Sequence, residues 1–79
     1  MSAPMRKLLV EWDDTASNST WQTRQHVKEN ACTLRVKTLG FVVHEDAHKL
    51  CVAQSWSANG DVADVTSIPK GCIVRRQRL

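Results

Sequence analysis

The stretch from Thr33 to Arg75 constrains this chain most, because its apolar residues recur with a period of two and its breaks fall at turn-forming residues. Thr33–Val43 alternates polar and apolar through Thr38. That puts Leu34, Val36 and Thr38 on one face of a strand and Arg35 and Lys37 on the other. From Leu39 the run is wholly apolar around Gly40, which implies burial on both faces and a bend, bulge or close backbone approach at the glycine. Lys49–Ser57 repeats the pattern, with Leu50, Val52 and Gln54 against Cys51, Ala53 and Ser55, and Trp56 next in line. Ala58-Asn59-Gly60-Asp61 is the strongest short turn signal, and its Asn-Gly pair is expected in a type I′ hairpin. Val62–Ile68 reads as the next strand. Pro69-Lys70-Gly71 breaks it, since proline cannot donate to a ladder and glycine permits a sharp corner. Cys72–Arg78 is a last strand that begins apolar and turns basic.

The first third of the chain is less regular. Residues 1–5 are expected to be a flexible tail, and residues 6–79 a single small β domain. Arg6–Asp13 alternates, with Leu8, Val10 and Trp12 on one face and Lys7, Glu11 and Asp13 sharing the other with Leu9. Asp14–Thr20 has the composition of an exposed connection. Ser19 or Thr20 would cap a short helix over Trp21–Glu29, ended by Asn30. Its apolar stripe is thin, so the segment is a lid-like helix or an irregular turn. Five short strands, tight turns and one short helix make the chain mainly β. The architecture they suit is a small, strongly curved, five-stranded antiparallel barrel of the SH3 or Sm type. The junction from Ile68 to Ile73 is similar to the short turn between the last two strands of such barrels.

A chain of 79 residues makes one domain with a modest core, and domains of this size often gain from oligomerisation, disulfides or metal. Cys32, Cys51 and Cys72 are odd in number and contain no C-x-x-C, so they are expected to be buried, reduced thiols. No run approaches the roughly 20 apolar residues of a membrane helix. Leu8-Leu9-Val10 is followed at once by Glu11, which is not the pattern of a signal-peptide core. The expected location is cytoplasmic, with no membrane partner.

Catalytic equipment is sparse, and the chain is not expected to be an enzyme. His44-Glu45-Asp46-Ala47-His48 formally matches H-E-x-x-H, whose zinc chemistry needs both histidines on one helical face. Here it lies between two strand patterns, where a hairpin turn is expected. No serine or cysteine sits in a nucleophile elbow, and three glycines leave no phosphate-cradling loop. Glu11, Asp13 and Asp14 read as a solvated acidic cluster. No catalytic residue, metal ligand or cofactor is assigned.

Binding chemistry is better represented. Net charge is only +3, but Lys70–Leu79 holds Lys70, Arg75, Arg76 and Arg78 with no acid. Such a segment suits either phosphate contact or a charged edge strand that resists aggregation. Three tryptophans occur without a single tyrosine. Alternation puts Trp12 in the core. Trp56, beside the Asn-Gly turn, fits ligand or partner contact and packing equally well. Trp21 is either a lid anchor or a stacking surface. Exposed tryptophan near arginine serves base stacking and protein hot spots alike. The candidate ligand-binding residues are therefore Trp56, Lys70, Arg75, Arg76 and Arg78, then Trp21, Arg35 and Lys37. Arg35 and Lys37 would extend the basic patch if their strand lies beside the last one.

Several pieces in order, Leu9-Val10-Glu11-Trp12-Asp13-Asp14-Thr15, Trp21, Val36-Lys37-Thr38-Leu39-Gly40-Phe41, Val52-Ala53-Gln54-Ser55 and Ile68-Pro69-Lys70-Gly71-Cys72-Ile73, resemble a group of small proteins encoded in phages and prophages, mostly of unknown function. The likeness implies a viral accessory protein acting in a bacterial cytoplasm, and it carries no catalytic residues. With the tryptophans and the basic end, it leads to a first expectation. This is a non-enzymatic protein that sequesters a nucleotide, such as a host immune signal, at a site in a homo-oligomer. Alternatives are a protein-interaction module that inhibits a host protein, and a small barrel that binds single-stranded nucleic acid.

Overall fold

A computed structural model describes residues 5–79, so all of the expected tail over residues 1–5 except Met5 lies outside the described residues. Five strands form one antiparallel sheet in the order β4-β3-β2-β1-β5: β1 Lys7–Asp14, β2 Leu34–Glu45, β3 Lys49–Trp56, β4 Val62–Pro69 and β5 Ile73–Arg78. One helix, α1 Arg24–Asn30, and one 3-10 turn, Lys70–Cys72, complete the chain. The mainly β reading with one short helix holds. The sheet is open in its ladders: β4 and β5 stand at opposite edges, with no ladder joining them among the described residues.

The β1 alternation reads true in space. Leu8 and Val10 are buried and, with Leu50, Val52 and Ile68, form the core, against which Trp12, Val42 and Ile73 pack. Each fully buried aliphatic side chain of this kind contributes about 1.5–3 kcal/mol. Trp12 is only partly buried, and its Nε1 donates to Thr38 Oγ1 at 2.9 Å, so the one polar atom of the indole is satisfied. Cys51 and Ala53, on the opposite face of β3, are buried as well.

Gly40 is where β2 changes partner. Residues of β2 up to Phe41 pair with β1, and from Phe41 onward they pair with β3. A Cβ on Gly40 would lie 2.7 Å from the Ala53 carbonyl oxygen and 3.2 Å from Val52 Cβ. Only glycine lets the two backbones approach this closely, which answers the bend or close approach expected there. Burial on both faces past Gly40 is only partial. Phe41 and Val42 are half-buried, but Val43 is exposed, because the β2–β3 register shifts between Val42 and His44 and turns Val43 out of the alternation.

The turns differ in detail from expectation. In the β3–β4 hairpin, the Gly60 amide donates to the Ser57 carbonyl at 3.0 Å, and only Gly60 takes a positive φ, 93°. A type I′ turn needs positive φ at both central residues. Instead the loop closes as a turn from Ser57 to Gly60, with Ser57 Oγ bonded to the Asn59 side chain and to Asp61. Within the edge strand β4, Asp64 has φ 56°, a kink that aspartate tolerates better than most residues. Of the His44–His48 stretch, where a hairpin turn is expected, only Asp46–His48 turns; His44 and Glu45 still belong to β2 and pair with Cys51 and Leu50. Asp46 Oδ1 accepts from the amides of His48 and Lys49.

Residues 15–33 leave the sheet. Every residue from 15 to 35 is exposed, and the molecule measures 58 × 21 × 20 Å. Leu34 is on the face foreseen for it but is exposed, because this end of the β1–β2 hairpin runs past the core. α1 starts at Arg24, three residues later than expected. Thr23 is the cap, its Oγ1 accepting from the His26 amide at 3.1 Å. The cysteines divide: Cys51 is buried, Cys72 intermediate, and Cys32 is exposed in this arm rather than buried.

Candidate functional site

The basic residues foreseen as one patch separate onto two faces. β1 lies between β2 and β5, so the strand carrying Arg35 and Lys37 does not lie beside the strand carrying Arg75. Cross-strand register instead sets both opposite Glu11: Lys37 from one side and Arg75 from the other. Glu11 Oε1 is 3.3 Å from Arg75 and 3.6 Å from Lys37, and Glu11 Oε2 is 3.7 Å from Arg35. Arg35 also reaches Asp13 at 2.6 Å, and this contact raises the guanidinium pKa. Three cations and two carboxylates nearly cancel across this face. Exposed pairs of this kind each contribute little stability.

Arg76 points to the other face. β5 pairs Val10 with Arg76 and Leu8 with Arg78, which sets both arginines on the core side of the sheet. Arg76 reaches Glu45 Oε2 at 2.9 Å, Lys70 reaches the same oxygen at 2.6 Å, and Arg6 reaches Oε1 at 3.3 Å. Glu45 comes from the last residue of β2, Lys70 from the 3-10 turn and Arg76 from β5, so one carboxylate gathers three separate parts of the chain. Lys70, Arg76 and Arg6 hold the Glu45 carboxyl down to about 2, well below its ordinary value. The cluster keeps two positive charges in excess of its one carboxylate. It edges an open groove of about 790 Å³ lined by Arg6, Val42, Val43, His44, Glu45, Asp46, Ala47 and Lys70. Beside it, Asp46 is held below its usual range by Lys49, His44 and the two turn amides. Its charge is thereby spent within the turn.

The remaining candidates do not converge on either cluster. Arg78 makes no ion pair among the described residues. Trp56 is 37% exposed and meets Phe41 edge to face at 5.9 Å between ring centroids, so it is partly packed and partly free. Trp21 is wholly exposed in the arm. Neither indole stacks on a cation among the described residues. Sequence reading missed Arg6, Glu11 and Glu45 as organising residues. The partners of Glu45 lie 39, 25 and 31 positions away. No local spacing announces such a cluster; only the strand order does.

His44 lies in β2, one residue before its end, and bonds Asp46 at 2.9 Å, while His48 sits in the turn, so the helical spacing that H-E-x-x-H chemistry needs is absent. Among the described residues no group of three metal-capable side chains gathers, and no helix is long and apolar enough to cross a membrane. Comparison with protein-family models, with curated proteins and with solved structures finds no match to this chain.

Proposed function

We propose that the chain is a non-enzymatic accessory binding protein that holds an anionic ligand at the Arg6–Lys70–Arg76 cluster, a nucleotide phosphate being the first ligand to test. The observation that supports this is the convergence of three cations on one carboxylate at the edge of an open groove, with positive charge in excess. An entering phosphate would take guanidinium and ammonium donors that Glu45 only partly occupies. The proposal carries forward the likeness to small phage-encoded proteins, with sequestration of a host nucleotide in the bacterial cytoplasm as the role. It also retains the SH3- or Sm-like identity as a proposal. The strand order, the close backbone approach at Gly40 and the 3-10 turn before β5 all suit a small curved barrel.

A ligand that binds only the folded chain raises its melting temperature. A panel of mono-, di- and cyclic nucleotides at millimolar concentration should therefore give a shift of several degrees with at least one member, and Lys70→Ala or Arg76→Ala should abolish it. Silence across the panel, or a shift that both variants keep, would sink the reading. The protein-interaction reading draws on a different observation, the wholly exposed Trp21 in an arm that buries none of its residues. A single-stranded nucleic-acid role draws less support, because six of the cations are already paired with carboxylates on two different faces.

A further inference from the structure

Residues 15–33 cannot owe their order to the rest of their own chain. α1 has seven residues, none buried, whereas isolated helices shorter than about 12–15 residues are marginal in water. Its internal support amounts to the Thr23 cap and the Gln25–Glu29 and Asn30–His26 side-chain bonds. Trp21, a residue that ordinarily buries most of its surface, touches nothing that shields it.

The whole-molecule dimensions say the same. A compact domain of this length has a radius of gyration of about 12 Å; this chain has 16.4 Å. A compact monomer of 8.9 kDa exposes about 4,800 Å²; this chain exposes 6353 Å². The excess is on the order of 1,500 Å², against the roughly 800 Å² that each partner gives to a stable interface.

The sheet meanwhile offers an apolar cleft with no occupant from its own chain. Lys7, Leu39 and Phe41, on the face opposite the core, line about 400 Å³ together with Gly40, Gln54 and Leu79. Leu39 and Leu79 are each more than half exposed, and Val65 on the same face is nearly so. One chain thus carries an unburied indole on a projecting arm and an unfilled apolar cleft at a distance from it.

We propose that two copies exchange arms, Trp21 of each seating in the Leu39–Phe41–Leu79 cleft of the other. Exchange is reciprocal: each copy gives one arm and receives one, so the assembly closes as a two-fold dimer and leaves neither feature unmatched. Burial of the indole and of part of α1 supplies the ordering that seven solvated residues lack. The arm exchange is independent of the anion cluster, which lies on the other side of the sheet.

The test is mass by light scattering or sedimentation on the full chain at submillimolar concentration, with far-ultraviolet circular dichroism on the same samples. The wild type should run at twice the single-chain mass. Trp21→Ala and Leu39→Asp, both at exposed positions, should each run at the single-chain mass with the sheet signal kept. Mixing the two variants should recover a heterodimer, since one intact arm and one intact cleft remain. A wild type that stays at single-chain mass, or a dimer that survives either substitution, overturns the proposal.

Discussion

The sheet and the arm are built on opposite terms. In the sheet, β1 alternates but for Leu9, its apolar face meets β3 and β4 side chains, and Leu8, Val10, Leu50, Val52 and Ile68 leave water almost completely. In the arm, residues 15–33 include a helix with a good cap and internal side-chain bonds, yet none of its residues is buried. Local signals alone therefore shape a helix here without stabilising it. The comparison teaches that in a chain this short order comes from burial, and that a segment with none must obtain it elsewhere.

The sharpest way to break that contrast is to remove equal chemistry from both regions. Leu50→Ala or Ile68→Ala should cost about 2–4 kcal/mol, enough to unfold much of a domain whose total stability is a few kcal/mol. Val27→Ala in α1 should stay within about 0.5 kcal/mol. Urea titration of dilute samples measures both; comparable losses would refute the division. Gly40→Ala comes next, with an expected loss of about 1–3 kcal/mol from the clash with Ala53. Trp12→Phe drops the bond to Thr38 and trims the indole packed against the core to a phenyl ring, which should cost about 1–2 kcal/mol.

Acid sharpens the contrast further, because the strongly perturbed carboxylates lie in the sheet and its turns. Glu45 has a folded pKa near 2, lowered from 4.5. A lowered folded value means the contribution is complete above about pH 4.5 and is lost as pH falls toward 2. The melting temperature should therefore drop across that window, and Glu45→Gln should flatten the drop. An unchanged slope in the variant would show that the cluster adds nothing to folding. The smallest effect is expected at the helix cap. Thr23→Ala removes a bond that usually matters by about 1 kcal/mol, but dilute melting should not register it, because α1 is not coupled to the core.

Much of the sheet was legible because a period of two survives without context. Leu8, Val10, Leu50 and Val52 could be assigned from alternation alone, and Gly40 flagged its own close backbone approach. Where the sequence misled, a tertiary term decided. Leu34 fits the core pattern but lies beyond the end of the core. The Asn-Gly pair suggested a type I′ turn, but Ser57 draws the loop into a longer closure. Cys32 looks like its two fellow thiols until the arm leaves the sheet. The candidate site was the least legible part. Arg75 and Arg76 are adjacent in sequence and face opposite ways on a strand, so a basic run became two clusters. Glu45, which organises one of them, looked like part of a turn.

The most direct measurement is amide hydrogen exchange, resolved by residue, over a range of protein concentration. Amides of β1, β2 and β3 should be protected at every concentration. Amides of α1 should exchange freely when the chain is dilute and gain protection in step with the rise in mass. Protection of α1 in the dilute single chain, equal to that of the sheet, would contradict the account.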